Sequence, residues 1–262
     1  MKISWTLSRK SVFLQLSLAS FFLLLFLTSG CVRMINSKPP GPWHEAYQPL
    51  IDIESEIFVS NALARAIADF GVPVIPVNTV MLRRSRKTEL ARRYRVREDF
   101  SLTECVDPTN GFFVIYIGVD PDHENYFALL GHECAHLINP FITDWYMEGM
   151  ATVFSEQVCV AEGKEWGGWK RHFMKSRRAP YALSYRMMLD MQAAFPQEYL
   201  TLQQFAVPSG VGVWHRIDIE GWIETLPAGR RAEALAIIEP NIKGLKRQTN
   251  AQYSFTIPEK LK

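Results

Sequence analysis

The chain has 262 residues, of which 48% are hydrophobic and 21% charged, so its composition is that of a globular protein rather than a disordered one. Its formal net charge of +2 argues against a nucleic-acid-binding protein that works through bulk positive charge. The length is sufficient for one sizeable domain or two small ones.

The first 30 residues differ in kind from the rest of the chain. Lys2, Arg9 and Lys10 form a basic front, and residues 11–32 carry no charge. A basic front, an apolar run and small residues at its end are the pattern of a secretory signal peptide. We therefore assign residues 1–30 to a signal peptide.

The apolar run ends in Thr28-Ser29-Gly30-Cys31, which resembles the lipobox of bacterial lipoproteins, although Leu usually stands at the position of Thr28. The resemblance implies that Cys31 is lipidated and anchors the chain in a lipid membrane. Val32 replaces the Asp that often retains such proteins at the inner membrane, which implies the outer membrane of the cell envelope, facing the periplasm. The alternative is an uncleaved helix that anchors the chain in the inner membrane. Both place the remaining chain outside the cytoplasm, because the basic residues precede the run.

A proline-rich segment follows the predicted anchor. Residues 31–49 contain four prolines and are predicted to form a semi-extended spacer. We assign residues 50–262 to one domain. The cysteines after Cys31 number three, too few for a disulfide framework, and a single pair between Cys105 and Cys159 is left open.

The domain begins with a predicted helix over residues 51–70 and a β-prone segment over 72–82. Five apolar residues fall on one side of this helix: Ile53, Ile57, Ala64, Ile67 and Ala68.

The most charged tract, residues 83–99, opens with four basic residues, Arg83, Arg84, Arg86 and Lys87. We interpret it as a solvated helix face, because charge runs are usually exposed. A surface that binds anions is the alternative.

The remaining elements follow from apolar runs and turn residues. FFVIYIGV (112–119) predicts a buried strand, and Asp120 or Asp122 offers a cap for the helix after it. Asn139-Pro140 ends that helix, and Thr143 or Asp144 begins the next, which extends to Glu162. Further helices are predicted near 181–195, 197–206, 217–226 and 229–247, the last with a break or kink at Pro240.

HECAH (132–136) carries the clearest chemical signal. On a helix, His132 and His136 lie one turn apart on the same face, so both imidazoles can bind one Zn²⁺. Glu133 lies about 100° around the helix, beside the metal, where it can take a proton from water. Cys134 points to the opposite face and is interpreted as a packing residue.

HECAHLINPFITDWYMEGMA (132–151) resembles the gluzincin clan of zinc metallopeptidases, in which a later helix supplies a glutamate as third ligand. The closer likeness is to compact bacterial members of the peptidase MA type, with H-E-x-x-H, a proline-containing loop, an aromatic residue and E-G-x-A. Glu148 begins the last motif, so the resemblance implies that Glu148 is the third zinc ligand. Gly149 and Ala151 are small enough for close helix contact at the metal.

The sequence departs from its thermolysin-like relatives four residues after Glu148. Those relatives have an aspartate there that orients a zinc histidine, whereas this chain has Thr152, which orients an imidazole more weakly. Glu156 is a weaker substitute. The family also uses a downstream Tyr or His to stabilise the oxyanion, for which the candidates are Tyr181, Tyr185, His172 and His215.

Together these features predict an α+β, zincin-like domain in which a small sheet packs on the active-site helix and the C-terminal part is mostly helical. The resemblance implies that one polar edge strand binds a peptide or protein substrate by strand addition. The expected activity is zinc-dependent peptide hydrolysis. The alternatives are a metal-binding envelope lipoprotein without catalysis and a hydrolase of cell-wall peptides.

Overall fold

A four-stranded mixed sheet lies on one side of the domain. The computed structural model describes residues 42–86, 89–93, 97, 100–176, 179–250 and 253–262. In that part of the chain the strands are β1 (Tyr47–Leu50), β2 (Thr79–Ser85), β3 (Ser101–Asp107) and β4 (Phe112–Ile117), in the order β1-β2-β4-β3. Only the β2–β4 pair is parallel. A separate hairpin pairs β5 (Ala206–Pro208) with β6 (His215–Ile217).

Helices make up most of the remaining structure. They are α1 (Ile53–Phe70), α2 (Glu89–Arg93), α3 (Tyr126–His136), α4 (Trp145–Ala161), α5 (Gly167–Lys175), α6 (Pro180–Ala194), α7 (Ile219–Thr225) and α8 (Arg231–Lys246). Short 3₁₀ helices cover Pro42–Ala46, Glu198–Phe205, Ala228–Arg230 and Glu259–Leu261. The predicted α+β class and the mostly helical C-terminal part are therefore confirmed, and no described helix is long and apolar enough to cross a membrane.

The sheet positions the helix that carries HECAH. β4 is the most apolar strand and is almost entirely buried, as FFVIYIGV predicts. α3 packs on β4 and on β3, which forms an edge of the sheet among the described strands. The hydroxyl of Thr103 in β3 donates a hydrogen bond of 2.9 Å to the carbonyl of Glu133 in α3, which ties the edge strand to this helix.

α1 begins and ends close to the predicted limits, but it buries a different face. Asp52 caps it by accepting from the Ser55 N–H at 2.8 Å. The buried side is formed by Ser55, Phe58, Val59, Ala62, Ala66 and Phe70. The isoleucines that periodicity places together on one side are exposed, because the aromatic residues of the opposite side fill the core.

Several local predictions differ from the structure. Residues 47–49 of β1 lie inside the range predicted as an extended spacer, and Pro49 is accommodated because β1 is an edge strand. Arg83 and Arg84 belong to β2 rather than to a helix. Asn125, not Asp120 or Asp122, precedes α3 as its cap residue. α8 continues through Pro240, so the helix is not broken there.

Candidate metal centre

Two consecutive helices bring the predicted ligands together. α3 ends at His136, and the loop through Asn139-Pro140 reverses the chain into α4. Asp144 caps α4 by accepting from the Tyr146 N–H at 2.7 Å. Glu148 therefore lies in the first turn of α4, directly opposite the last turn of α3.

The three predicted ligands form one cluster. The Nε2 atoms of His132 and His136 lie 3.2 Å apart, and Glu148 Oε2 lies 3.2 Å from His132 Nε2. The other carboxylate oxygen of Glu148 lies 3.8 Å from His136 Nε2. Ligands placed about 2.0–2.1 Å from a tetrahedral zinc are about 3.3 Å from one another. Two imidazoles and one carboxylate at these separations fit a divalent zinc ion.

Burial and mutual charge shift the pKa values of the three clustered residues in different directions. Burial lowers the pKa of His136, which favours the neutral imidazole that a metal requires. Burial also lowers the pKa of His132, but the hydrogen bond and charge of Glu148 outweigh it and raise that pKa above its usual value. Burial raises the pKa of Glu148, yet the hydrogen bond with His132 and the charges of both histidines lower it overall. The carboxylate is therefore ionised at neutral pH.

Thr152 lies four residues after Glu148, at the position for which the sequence resemblance implies an orienting aspartate. Its hydroxyl donates to the carbonyl of Glu148 at 2.7 Å and lies 3.3 Å from His132 Nδ1. Since the hydroxyl proton is directed to the carbonyl, its lone pair faces Nδ1 of His132, and Nε2 is the ring nitrogen that faces Glu148. Glu156 does not substitute for it: its carboxylate accepts from Tyr185 and pairs with Lys170.

Glu133 lies in the same cleft as the ligands and is 3% exposed. Its charge acts on both histidines and on the phenols of Tyr181 and Tyr253. Glu133 therefore brings a second buried carboxylate, outside the three-ligand cluster, into the same cleft.

Tyr181 and Tyr185 are the two tyrosines predicted as oxyanion candidates. The structure places Tyr181 in the cleft and Tyr185 outside it. Tyr181 lines the cleft, with its ring centroid 6.1 Å from that of His132. Burial, reinforced by the charge of Glu148, holds the pKa of its phenol well above the usual value, so the group is a proton donor at all ordinary pH values. Tyr185 instead donates to Glu156 at 2.6 Å, away from the ligands.

The two histidine candidates for oxyanion stabilisation also differ in whether they line the cleft. His172 lines the cleft on α5. His215 lies in β6, where its backbone bonds to the loop between α3 and α4 rather than presenting the ring to the cleft.

Tyr253 is a cleft residue that sequence reasoning did not identify. Its ring stacks on Trp145 at 4.9 Å, and its hydroxyl lies 3.5 Å from that of Tyr181. The two phenols thus lie side by side in the cleft that the ligands also line. A tyrosine so far from HECAH in the chain carries no local motif, and only the tertiary fold reveals it.

Helix packing at the cluster uses a different glycine from the one predicted. A Cβ at Gly131 would meet Ser155 Cα at 3.3 Å, so α3 and α4 approach closely there. Ser155 also donates to the carbonyl of Ala128 at 2.6 Å. Gly149 faces α6 instead, where a Cβ would lie 2.4 Å from the side chain of Met188. Gly149 therefore allows a close helix contact, as predicted, but with α6 rather than with α3.

The loop that joins the two ligand helices forms backbone hydrogen bonds with two segments that are distant in sequence, the β5–β6 hairpin and the C-terminal segment. The His215 N–H donates to Phe141 at 2.8 Å, and the Trp145 N–H donates to Ser254 at 3.1 Å. The Ser254 hydroxyl lies 3.1 Å from the carboxylate of Asp144, whose pKa is raised to about 7 mainly by burial. The hairpin and the C-terminal segment thus fix the entry to α4.

The cleft beside the cluster has a volume of about 560 Å³, which is within the range of small-ligand sites. Ser101, Leu102 and Thr103 of the edge strand form one wall. Trp166, Trp169 and Phe173, which begin or belong to α5, form another. The cleft is therefore bordered by a strand edge and by an aromatic surface.

The remaining sequence candidates lie away from this centre. Cys134 is fully buried in the core, as predicted, and the three described cysteines are free, so Cys105 and Cys159 do not pair.

Two arginines of the basic tract have partners within the domain. Arg83 donates to the carbonyl of Tyr47 at 2.7 Å, and Arg84 pairs with Asp120. The predicted signal peptide and the predicted lipidation site, Cys31, lie outside the described residues.

Comparison with known proteins identifies no relative: no family model, curated protein or solved structure matches the chain.

Proposed function

We propose that this protein is a zinc-dependent peptidase of zincin-like architecture. The observation that supports the proposal most directly is the cluster of His132, His136 and Glu148, whose ligand atoms lie within 4.8 Å of one another. The separate carboxylate of Glu133 in the same cleft extends it from metal binding to hydrolysis. A purely structural zinc site usually has four protein ligands, whereas three are present in this cluster.

Each residue of the centre has a role that its position supports. His132, His136 and Glu148 would hold the zinc, which when bound polarises the scissile carbonyl and acidifies water. Glu133 takes a proton from the attacking water and passes it to the leaving amine. Tyr181 donates a hydrogen bond to the oxygen that becomes negative in the transition state.

The edge strand β3 provides a place for the substrate backbone. It is more polar than β4, borders the cleft and is tied to α3 through Thr103. A peptide that adds to this edge brings its backbone alongside the cluster. We therefore propose an extended peptide or protein segment as the substrate, and cell-wall peptides are the alternative of the same chemical class.

The location at the cell envelope is also a proposal and rests on the sequence. A signal peptide over residues 1–30 and lipidation of Cys31 would tether the domain to a membrane outside the cytoplasm. If the protein binds zinc but cleaves no peptide, the metal-binding lipoprotein without catalysis becomes the better interpretation.

Paired variants test the centre. Glu148→Ala should lower zinc bound to the purified protein from about one ion per chain, as measured by mass spectrometry of the metal. Glu133→Gln should keep the zinc but lower cleavage of a mixed peptide library by at least about a hundredfold, because it removes the general base. Full activity of Glu133→Gln with zinc bound would contradict the mechanism, and full zinc occupancy of Glu148→Ala would contradict the ligand set.

A further inference from the structure

α1 presents an apolar stripe to solvent, on the side away from the core. We call the outer stripe the row formed by Ile53, Ile57, Ser60, Ala64 and Ile67, all of which are exposed. The three isoleucines are 74%, 55% and 39% exposed. Single exposed apolar residues are ordinary, but a row along the whole length of a helix marks an interaction surface.

Apolar residues extend this surface beyond both ends of the helix. Ile51, just before α1, is 88% exposed. Val72 and Val74, just after it, are 85% and 57% exposed. Exposed apolar residues therefore continue along the sequence beyond both ends of α1.

The spacing of the outer stripe fits a helix as its partner. Its members follow one another at intervals of four, three, four and three residues, which is the heptad spacing of a two-helix seam. Ser60 and Ala64 in the middle are small, so a second helix can approach closely there. Binding to a flat surface would not require this alternation of four-residue and three-residue intervals.

The stripe is complementary to itself in an antiparallel arrangement. With a twofold axis near the middle of α1, Ile57 of one copy meets Ile67 of the other, and Ser60 meets Ala64. The same register places Ile51 and Ile53 beside the Val72–Val74 segment of the second copy. Every exposed apolar group of the patch then has an apolar or small partner, as an isologous interface requires.

The charges of α1 favour this arrangement over a parallel pair and over a lipid surface. Glu54 and Glu56 are exposed in the first turn. Glu54 is paired with Lys164. A parallel pair would place the two Glu56 carboxylates side by side, whereas the antiparallel register separates them by about 18 Å along the helix axis. Helices that lie on membranes are rich in Lys and Arg, but the one basic residue of α1, Arg65, is paired with Asp69.

We propose that the outer stripe is the interface of an antiparallel homodimer. A surface built from one helix and its two flanking turns belongs with the small interfaces that bury less than about 1,200 Å² in total. The dimer is therefore weak, and its population depends on protein concentration. This inference is independent of the proposed peptidase activity.

Sedimentation equilibrium of the full-length chain in detergent, across a hundredfold range of concentration, tests the association. The wild-type mass should rise from monomer to dimer, and Ile57→Glu should weaken the association at least tenfold because it places a charge in the seam. Val160→Glu is the matched control, since Val160 is 69% exposed on α4, and it should dimerise like the wild type. A monomeric wild type at every concentration would overturn the proposal.

Cysteine cross-linking tests the orientation in the same preparation. The double variant Ile57→Cys/Ile67→Cys should form disulfide-linked dimers on mild oxidation, whereas Ile57→Cys alone and Val160→Cys should not. Linkage through Ile57→Cys alone would show a parallel pair and overturn the antiparallel arrangement. If zwitterionic lipid vesicles protect Ile57→Cys from a water-soluble maleimide and no dimer forms, the stripe binds lipid instead.

Discussion

At the scale of single residues, the candidate centre has a hydroxyl, that of Thr152, beside a ring of its histidine pair, where the motif it resembles has a carboxylate. Thr152 contacts both the carbonyl of Glu148 and the Nδ1 atom of His132, so one side chain fixes a ligand ring and the helix that bears another ligand. A neutral hydroxyl orients the imidazole without adding negative charge. The ring is therefore positioned, but its nitrogen is made less basic than a carboxylate partner would make it.

Replacement of Thr152 tests this role through zinc affinity rather than activity. Thr152→Val keeps the volume of the side chain but removes the hydroxyl, and we expect zinc to bind about 10–100-fold more weakly. Thr152→Ser keeps the hydroxyl and should retain most of the affinity. Competition with a chromophoric chelator measures both constants. Equal affinity of Thr152→Val and the wild type would show that the hydroxyl does not orient His132.

The sequence identifies the residues of the centre much better than their neighbours. His132, Glu133 and His136 follow from the helical repeat alone, and Glu148 follows from the resemblance of residues 132–151 to a known pattern. The contribution of Tyr253 does not follow from any local pattern, because it depends on where the C-terminal segment returns.

At the scale of the elements, hydrophobic periodicity located α1 but did not tell which side is buried. Both sides carry apolar residues at helical spacing, one formed by isoleucines and the other by residues such as Phe58 and Phe70. The core selects the aromatic side, which buries more apolar surface for each residue. Periodicity alone cannot rank two apolar faces of one helix.

Gly149 allows α4 and α6 to pack closely against each other. A Cβ there would lie 2.4 Å from Met188 Cγ and 2.5 Å from the carbonyl of Ser184, which is backbone and cannot easily move. We expect Gly149→Ala to lower the free energy of unfolding by about 1–3 kcal/mol, because the overlap outweighs the better helix propensity of alanine. Thermal and urea unfolding measure this change.

Gly168→Ala is the matched control for this substitution. Gly168 also lies inside a helix, but a Cβ there would have no atom within 4 Å. Alanine should therefore be neutral or should stabilise the protein by up to about 1 kcal/mol. If both variants had the same stability, the close approach of α4 and α6 at Gly149 would not be a determinant of the fold.

At the scale of the whole molecule, the ligand loop is fixed by parts of the chain that lie far away in sequence. β6 contacts it through His215, and the C-terminal segment contacts it through Ser254. Such contacts join short segments without strong periodicity, so their sequence indicates neither the strand nor its partner. β1 is a similar case, because residues 47–49 were predicted as part of a spacer. Its four residues include a proline and form a strand only because they pair with β2.

Ser254 offers a test of this long-range support. Its hydroxyl lies 3.0 Å from the carbonyl of Thr143 and 3.1 Å from the carboxylate of Asp144. Ser254→Ala removes these contacts at the cap of α4, and we expect it to lower the free energy of unfolding by about 1–2 kcal/mol. Thr249→Ala, which removes only a local bond to Lys246 on the surface, should change it by less than about 0.5 kcal/mol.

Zinc affinity shows whether this support reaches the metal centre. Because Asp144 caps the helix whose first turn carries Glu148, looser capping lets the carboxylate depart from the position that meets the two imidazoles. Ser254→Ala should therefore bind zinc more weakly than Thr249→Ala, in the same chelator competition used for Thr152. Unchanged affinity together with reduced stability would mean that the C-terminal segment stabilises the fold while the ligand helices hold the metal by themselves.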